Sequence, residues 1–596
     1  MQKDIKKRAK AYGLAAILLA IVLGTACYSF GLLPIGFQPP SPPAPYFTLL
    51  KTFSSIGDLR DRLMASPEAQ KPYNILGPAD ARVFSSTEIN AMRDQGAVKS
   101  APGVAFESST TNIQVAGVDE ADIIKSYEGY IYAVSNNTVF IIEAYPSEDA
   151  RIVSRIAFND TYPFEIFVNG ETLAVIGSQY NRPLGGYWWY FMSVKTTVRL
   201  YDVSDKSDPT LLRSFTVSGN YFNSRMIGDY VYLVVNQEAL VIYDTVILPK
   251  IYSAEGIREI GPSEIYYFNA SDTCYTYATF VALNVRDTEE EPNRMTVMLG
   301  GTSSMFVSLT NMYVTFQDFD GQTSIHRIRI QGRDITVEAQ GKVPGRTINQ
   351  FSMDEYHDYF RIATATWNNW NPSSNLYILN MSLTIVGRLE NIAPNETLDS
   401  VRFIGNRCYL STSVVRRDPF FVIDVENATN PRILGWLKIP GFTRYLHPYD
   451  TDHVIGIGVD GNNVKISIFN VSNVSAPETL SEYKVSGDWS YSTALDDHKA
   501  LLFDQDKQLL AIPVQISDYY RSSQWQGLYV FDISVTSGLD LKGTITHQEP
   551  STYDWDTNYH VRRSLYIENV LYTMSDKKIK LNSLEDLAPV MEIPLL

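Results

Sequence analysis

A pattern of four short strands that recurs about every 40–60 residues predicts an all-β fold, a β-propeller of eight or nine four-stranded blades. The pattern runs from about residue 117 to the last residue, and its units begin near 118, 164, 221, 302, 348, 398, 443, 488 and 559. Nine units are counted. Propellers usually have fewer blades, so eight blades are an alternative in which one unit is split.

Each unit contains an apolar strand that ends in Asp or Asn, a polar turn, and a further strand that runs into Gly or another break. The clearest examples are GDYVYLVV (228–235), FFVIDVENATNPRILGWLKIPG (420–441), ISIFNVSNVSAPETLSEYKVSG (466–487) and LYVFDISVTSGLDLKGTITHQ (528–548). Val, Ile, Tyr and Phe favour half-buried strands, and Gly, Asn, Asp and Pro favour turns. The local chemistry therefore agrees with the repeat.

The first 33 residues predict a cytoplasmic tip and a transmembrane signal-anchor. Five basic residues precede an uncharged run at 11–33, which is long enough to span a bilayer as a helix. The positive flank should stay in the cytoplasm and the rest should be exported. Two alternatives are a signal peptide cleaved near Gly24-Thr25-Ala26 and a lipid-modified Cys27.

Three further regions follow the predicted anchor. Residues 34–46 are rich in proline and predict a semi-rigid stalk. Residues 47–109 predict a neck with short helices at 59–65 and 86–95, and residues 110–596 predict the propeller. Cys274 and Cys408 lie in units that need not be neighbours, so the sequence does not favour a disulfide between them.

Other features agree with a location outside the cell. The net charge is −16, and it is −20 without the charged residues of the N-terminal tip, which argues against nucleic acid or anionic lipid as a partner. Eight Asn-x-Ser/Thr sequences are acceptors for glycosylation if the host modifies exported proteins. They begin at Asn136, Asn159, Asn269, Asn380, Asn395, Asn427, Asn470 and Asn473.

Five segments carry a resemblance to a known family. They are TTNIQVAGVDEADIIKSYEGYIYAV (110–134), INQFSMDEYHDYFRIATAT (348–366), LDSVRFIGN (398–406), IPGFTRYLHPY (439–449) and DDHKALLFDQDKQLLAIPV (496–514). In these segments the chain resembles predicted secreted archaeal and bacterial proteins with a C-terminal β-propeller distantly related to WD-40 repeats. The resemblance implies the fold and export. It brings no reaction and no catalytic residues.

Aromatic residues concentrate between the second and third strands of several units. Those segments are 180–193, 237–276, 367–375, 413–419 and 516–527, and we expect them to be long loops that emerge on one face of the ring. Exposed Trp and Tyr offer a large contact area at low entropic cost, although such rings also pack together in cores. The candidate ligand-binding residues are Trp188, Trp189, Trp367, Trp370, Trp489, Tyr519, Tyr520 and Trp525, with Trp489 placed in a connection between two units.

Three carboxylates at the start of the first unit are candidate metal ligands. Asp119, Glu120 and Asp122 lie where the chain enters the ring, and together they could hold Ca²⁺. The alternative is that they form ion pairs with Lys125, Arg562 or Arg563 across the junction of the first and last blades. The chain has no phosphate-binding loop, nucleophile elbow, zinc-protease helix or paired cysteines at metal spacing.

Three functions fit these observations. The first is a binding or adhesion module whose aromatic face holds a glycan, a peptide or a partner protein. The second is an extracellular hydrolase or lyase that acts on polysaccharide or peptide at the mouth of the channel. The third is a structural scaffold of the cell envelope. Two carboxylates that face each other beside the Trp residues would favour the enzyme.

Overall fold

The computed structural model describes residues 50–65, 107–180, 194–242, 244–253, 256–268, 275–300, 302–318, 320–368, 371–414, 417–518, 523–549 and 556–595. The predicted membrane-spanning run at 11–33, the stalk at 34–46 and the second neck helix at 86–95 lie outside these residues. Within them, no helix combines the length and the hydropathy needed to cross a membrane.

The described N-terminal segment contains one short strand and one helix. These are β1 (Lys51–Thr52) and α1 (Ile56–Met64), and the helix lies where the sequence predicts one at 59–65. Ser55 is the N-cap of α1, and its side chain accepts a hydrogen bond from the backbone N–H of Asp58.

In the described part of the chain, nine successive sheets form the blades of a propeller, which decides between the eight-blade and nine-blade predictions, and consecutive strands within each blade pair antiparallel. Blade 1 contains β2 (Ile124–Tyr127), β3 (Tyr130–Ser135), β4 (Thr138–Glu143) and β5 (Arg151–Ala157). Blade 2 contains β6 (Tyr162–Asn169), β7 (Thr172–Tyr180), β8 (Val194–Asp202) and β9 (Thr210–Ser218). Blade 3 contains β10 (Asn220–Ile227), β11 (Tyr230–Glu238), β17 (Thr276–Asn284) and β18 (Asn293–Leu299).

Blades 4 to 6 follow the same order. Blade 4 contains β19 (Ser304–Val307), β20 (Asn311–Gln317), β21 (Gln322–Gln331) and β22 (Asp334–Pro344). Blade 5 contains β23 (Met353–Tyr356), β24 (Tyr359–Asn368), β25 (Asn371–Asn380) and β26 (Ile385–Ile392). Blade 6 contains β27 (Thr397–Ile404), β28 (Arg407–Ser413), β29 (Arg417–Asp424) and β30 (Arg432–Pro440).

Blades 7 to 9 complete the ring, and the first strand of blade 8 is divided into β35 and β36. Blade 7 contains β31 (Phe442–Pro448), β32 (His453–Asp460), β33 (Asn463–Asn470) and β34 (Glu478–Lys484). Blade 8 contains β35 (Trp489–Tyr491), β36 (Leu502–Asp504), β37 (Leu509–Asp518), β38 (Ser523–Ser534) and β39 (Gly538–Ile545). Blade 9 contains β40 (Arg563–Ile567), β41 (Val570–Met574), β42 (Lys578–Ser583) and β43 (Pro589–Pro594).

Apolar side chains are buried between neighbouring blades. One cluster joins blades 5 and 6 and includes Leu376 and Leu410, and another joins blades 7 and 8 and includes Ile466 and Ile512. Blade 9 contributes to a cluster with blade 1 on one side and to a cluster with blade 8 on the other. A single blade cannot bury both of its faces, so stability depends on the closed ring.

Glycine allows the turn of one blade to lie directly on the outer strand of the blade before it. A Cβ on Gly387 of blade 5 would lie 1.9 Å from the carbonyl oxygen of Ala428, in the turn between the third and fourth strands of blade 6. A Cβ on Gly435 of blade 6 would lie 2.3 Å from the carbonyl oxygen of Val474 in blade 7. The absence of a side chain therefore sets the spacing between these blades.

The long connection between β11 and β17 joins the outer edges of blades 2 and 3. It contains β12 (Val241–Ile242), β13 (Thr245–Val246), β14 (Lys250–Ser253), β15 (Gly256–Glu259) and β16 (Ile265–Tyr267). β14 pairs with β9 and extends blade 2, whereas β16 pairs with β18 and extends blade 3. β1 pairs with β16, so the N-terminal segment lies at the outer edge of blade 3.

Residues 107–123, which we name the strap, cross the centre of the ring before the chain enters blade 1. Ser108 forms an antiparallel bridge with Ile567 on the first strand of blade 9. Farther along the strap, bridges form from Asp119 to blade 3 and from Asp122 to blade 2. The strap therefore contacts the last blade and early blades of the same ring.

Side chains of the strap extend these contacts to further blades. The amide of Asn112 donates to the carbonyl oxygen of His498 in blade 8 over 3.1 Å. The amide of Gln114 donates to the carbonyl oxygen of Gln350, just before the first strand of blade 5, over 3.3 Å. The centre of the ring is thus filled by the strap and by segments that reach in from the first strands.

Candidate functional site

The ends of the strands define one face of the ring on which the predicted aromatic residues can be placed. On one side of the ring, the second strand of each blade ends and the third strand begins. We call this side the upper face. Trp367 near the end of β24, Trp489 at the start of β35 and Trp525 near the start of β38 lie at this side. Trp188, Trp189, Trp370, Tyr519 and Tyr520 lie outside the described residues.

The segments that carry Trp367 and Trp525 are strand extensions, where long loops were expected. β24 and β25 pair as far as Asn368 with Asn371, and Trp367 lies opposite Pro372. In blade 8, Trp525 lies opposite Ile516. Polar and aromatic residues alternate in these segments, as in a strand with two different faces, so the paired strands extend through them.

Two other expectations about connections have different outcomes. Trp489 lies in the first strand of blade 8, so its placement in a connection between units was wrong. Trp489–Tyr491 pairs with β37 and begins blade 8 within one residue of the predicted unit start at 488. The long excursion at 237–276 is present between β11 and β17, and it contains short strands of its own.

Trp367 presents an aromatic surface that is partly covered by a cation. Its side chain is 44% exposed. The guanidinium of Arg346, itself exposed, lies 4.4 Å from the centre of the indole ring. This cation–π contact holds the ring in place and leaves surface open to a ligand.

A pair of tyrosines presents a second aromatic surface on blade 2. Tyr162 and Tyr180 are 49% and 44% exposed, and their ring centres lie 5.7 Å apart in an edge-to-face arrangement. They occupy the start of β6 and the end of β7, which both lie at the upper face. Neither tyrosine was predicted from the sequence as a ligand-binding residue. Their positions at the start of the first strand and the end of the second strand of one unit could have identified them.

Trp489 and Trp525 are less accessible than Trp367. The Trp489 ring stacks on Tyr491 with ring centres 6.2 Å apart, and Trp525 packs edge-on against Tyr529 at 5.5 Å. Trp525 also packs against the apolar cluster between blades 7 and 8. Part of the predicted aromatic set therefore stabilises the ring.

A row of charged side chains lies nearer the axis on blades 6, 7 and 8. Asp399 and Arg444 each occupy a β-bulge in the first strand of their blade, and a bulge re-aims the side chain it carries. The guanidinium of Arg444 lies 2.8 Å from a carboxylate oxygen of Asp496, and the hydroxyl of Tyr491 donates to Asp496 over 2.8 Å. Burial raises the pKa of Asp399 to about 6.

The three candidate metal ligands lie in the strap and contact basic side chains. Asp119 lies 2.7 Å from the ammonium of Lys125, and Asp122 lies 3.0 Å from Nε of Arg563. Glu120 is 1% exposed and lies 3.5 Å from Arg225. No group of three or more His, Cys, Asp or Glu side chains within the described ranges is arranged to hold a metal ion.

Burial and ion pairing oppose each other at Asp122. Burial raises the pKa of Asp122 to about 6, and Arg563 acts to lower it. The ammonium of Lys499 lies 3.7 Å from Asp122 and 2.7 Å from Glu165. Arg563 also donates to Asp497 over 2.5 Å. These contacts connect the strap with blades 2, 8 and 9.

The segments that carry the family resemblance meet in this central region. Residues 110–123 of the strap belong to the segment at 110–134, and Gln350 belongs to the segment at 348–366. Asp399, Arg444 and Asp496 belong to the other three segments. Sequence reasoning found the segments but missed the last three residues, because their proximity depends on contacts between blades.

The glycosylation acceptors that the structure describes lie mostly in turns. Asn136, Asn159, Asn395, Asn427 and Asn473 are exposed, whereas Asn380 and Asn470 are partly buried and Asn269 lies outside the described residues. The side chain of Asn470 accepts a hydrogen bond from the backbone N–H of Ser472, as in an Asx turn. Turn chemistry therefore also accounts for some of these sequences.

The family model for the beta propeller domain matches residues 108–587. The chain belongs to this family. A related curated protein is an uncharacterized protein of Methanocaldococcus jannaschii, which is 28% identical over 78% of this chain and 80% of the relative. An uncharacterized protein of Archaeoglobus fulgidus is 25% identical over 94% of this chain and 97% of the relative.

Two solved structures are also similar to this member of the beta propeller domain family. AztD of Citrobacter koseri is 13% identical, with a TM-score of 0.35, and the match covers 66% of this chain and 91% of AztD. The β-propeller domain of the Trilobed protease from Pyrococcus furiosus is 8% identical, with a TM-score of 0.31, and the match covers 63% of this chain and 94% of that domain.

Proposed function

We propose that this protein is a membrane-anchored, extracellular binding module that holds its ligand at the upper face of the propeller. The observation that carries the proposal is the partly exposed ring of Trp367 beneath the guanidinium of Arg346. An aromatic surface held in place by the scaffold loses little entropy when it binds. The exposed pair Tyr162 and Tyr180 adds a second contact surface on the same face.

The filled centre of the ring also favours binding at the face over binding in the channel. The strap crosses the axis, and its carboxylates Glu120 and Asp122 are 1% and 3% exposed. A ligand that approaches from the upper face would meet aromatic rings at the rim and Arg444 and Asp496 nearer the axis. Aromatic stacking together with planar hydrogen-bonding groups suits a glycan, and the width of the face suits a peptide or protein.

An extracellular hydrolase or lyase is the second candidate function, and the observation that favours it is the row of charged side chains Asp399, Arg444 and Asp496 on blades 6 to 8. Burial raises the pKa of Asp399 to about 6, whereas Asp496 lies beside Arg444 and accepts from Tyr491. Two carboxyl groups in such different environments can serve as acid and base. Asp399→Asn and Asp496→Asn should each abolish hydrolysis of a polysaccharide or peptide if this candidate is correct.

The proposed location follows from the N-terminal sequence. Basic residues before the apolar run at 11–33 favour an N-terminus in the cytoplasm and a propeller outside the cell. The proposal includes a secreted origin for the propeller and a distant relation to WD-40 repeats. Protease treatment of intact cells should release a fragment that begins in the stalk at 34–46, and protection of the propeller would contradict the location.

A binding screen tests the function itself. Residues 46–596 should be presented to an array of glycans and to surface proteins from the source cell, at two ionic strengths. The proposal predicts a saturable ligand whose binding survives mild salt, because stacking and hydrogen bonds are screened less than charge attraction. Absence of any saturable ligand, from the array and from the surface proteins, would favour the structural scaffold.

A further inference from the structure

We propose that residues 50–65 form a clasp that transfers mechanical load from the N-terminal tether to blade 3 and keeps that load away from the strap. The inference rests on the proposed anchoring through the run at 11–33. It concerns the path of force through the chain, which begins where the tether meets the propeller at Leu50.

The clasp is held first by backbone pairing and by one buried aromatic ring. Lys51 and Thr52 pair with β16, and the backbone N–H of Phe53 donates to the carbonyl oxygen of Pro262 over 3.2 Å. Phe53 is 1% exposed and stacks on Tyr267 with ring centres 4.2 Å apart. Burial of a phenylalanine makes this the main apolar contact of the extended part.

The helix of the clasp adds a second set of contacts. Leu59 and Leu63, one turn apart, are 0% and 3% exposed and join the apolar cluster between blades 2 and 3. Arg60 donates to both carboxylate oxygens of Asp244 at 2.9 Å, but Asp244 is 80% exposed. Apolar burial therefore holds the helix, and the ion pair contributes little.

The last turn of the helix is held by a guanidinium. Arg62 donates to the carbonyl oxygen of Phe268 over 3.4 Å. Its guanidinium carbon lies 5.8 Å from the ring centres of both Tyr267 and Tyr275. The clasp thus ends, at Ala65, on the excursion that joins blades 2 and 3.

The chain then returns to the propeller at a different blade. The backbone N–H of Glu107 donates to the side chain of Glu568 in blade 9 over 2.9 Å, and Ser108 pairs with Ile567. The described segments that end at Ala65 and begin at Glu107 are therefore both attached to the ring. A pull that arrives through residue 50 passes into blade 3, and the strap carries none of it while the clasp holds.

This arrangement protects the closure of the ring. The strap is the segment that connects blades 9, 8, 5, 3 and 2 through the centre, so tension on it would act on those contacts directly. If the clasp detached, at most the 57 residues from 50 to 106 would be added to the tether before the strap came under load. A fully extended chain of that length spans at most about 200 Å.

Single-molecule stretching of the full-length chain in detergent tests the proposal. One handle is attached at the N-terminus and the other replaces Trp436, an exposed residue on the outer strand of blade 6. We expect an early extension of up to about 200 Å at lower force than any later event. In the double variant Phe53→Ala, Leu59→Ala this early event should vanish or move to lower force. Arg60→Ala is the matched control and should leave it unchanged.

Two results would overturn the proposal. One is an early event of the same force and length in the double variant. The other comes from hydrogen exchange on the unstretched variant, in which loss of protection throughout the blades would make the segment part of the ring itself. Faster exchange confined to α1 supports a separate clasp. Neither measurement requires a membrane, so the outcome is distinguishable from failure of the proposed anchoring, which protease treatment of cells tests.

Discussion

Nε of Arg563, on the first strand of blade 9, lies 3.0 Å from a carboxylate oxygen of Asp122 in the strap, although the two residues are 441 positions apart. Both side chains are less than 10% exposed. The pair joins the last blade to the segment that leads into the first blade. The contact therefore closes the ring through its centre, and the hydrogen bond from the Tyr572 hydroxyl to the Ala144 carbonyl oxygen adds a direct contact between blades 9 and 1.

Removing Arg563 should destabilise the ring strongly. Arg563→Met leaves Asp122 buried without its closest cation, and breaking a buried pair in this way costs about 3–5 kcal/mol. Urea unfolding measures the change. Arg562→Met is the control, because Arg562 is 42% exposed and its pair with Asp576 should contribute less than about 1 kcal/mol. Similar small losses for both variants would contradict closure through Asp122.

The contact between Gly387 and Ala428 predicts a second stability effect. Gly387→Ala places a Cβ 1.9 Å from the Ala428 carbonyl oxygen, so blades 5 and 6 must move apart. Overpacking of this kind costs about 1–3 kcal/mol and should lower Tm. Gly57→Ala is the control, because its Cβ would meet only the Ser55 hydroxyl at 3.6 Å inside α1, where alanine favours the helix. An unchanged Tm for Gly387→Ala would contradict the packing.

Three buried histidines predict a loss of stability in acid. Burial lowers the pKa of His326, His447 and His547 to about 3. Unfolded histidine has a pKa of about 6.5, so below that pH the unfolded chain binds protons that the folded chain does not. Stability should therefore fall as the pH drops from about 6.5 to about 3. The raised pKa values of Asp122 and Asp399 act in the opposite direction between about 6 and 4 and offset part of the loss.

A substitution of His326 measures the contribution of one buried histidine to the pH dependence of stability. The His326 ring lies 4.5 Å from that of Phe268 and 5.5 Å from that of Phe316, so phenylalanine can replace it in an aromatic environment. Between pH 7 and pH 4, the stability of His326→Phe should fall by about 3 kcal/mol less than that of the natural chain. Urea unfolding at several pH values provides the comparison. Parallel pH profiles would show that His326 is not kept neutral by burial.

The sequence predicted the blades well because each blade is a local unit. Alternating apolar residues and Asn, Asp and Gly turns lie within each repeat, so unit starts at 164, 398 and 443 fall within two residues of β6, β27 and β31. The count of nine units was also correct. Local signals did not show where a strand continues beyond its sheet, which is why Trp367 was placed in a long loop.

The central contacts could not be predicted from local patterns. Asp122 and Arg563 were considered as a pair, but the passage of the strap past His498 and Gln350 depends on residues more than 200 positions away. Asp399 and Arg444 look like ordinary strand residues, because a bulge is defined by pairing with the next strand. The docking of Phe53 on blade 3 likewise depends on an excursion that lacks the repeat pattern.

The affinity of the Trp367→Ala variant for the ligand found by the binding screen tests the central claim most directly. If the upper face binds, affinity should weaken by about 1–3 kcal/mol with an almost unchanged Tm, as for an interface hot spot. Trp436→Ala is the matched control, because Trp436 is 57% exposed on the outer strand of blade 6 and should leave affinity unchanged. Unchanged affinity for Trp367→Ala, or weakening of equal size in Trp436→Ala, would contradict binding at the upper face.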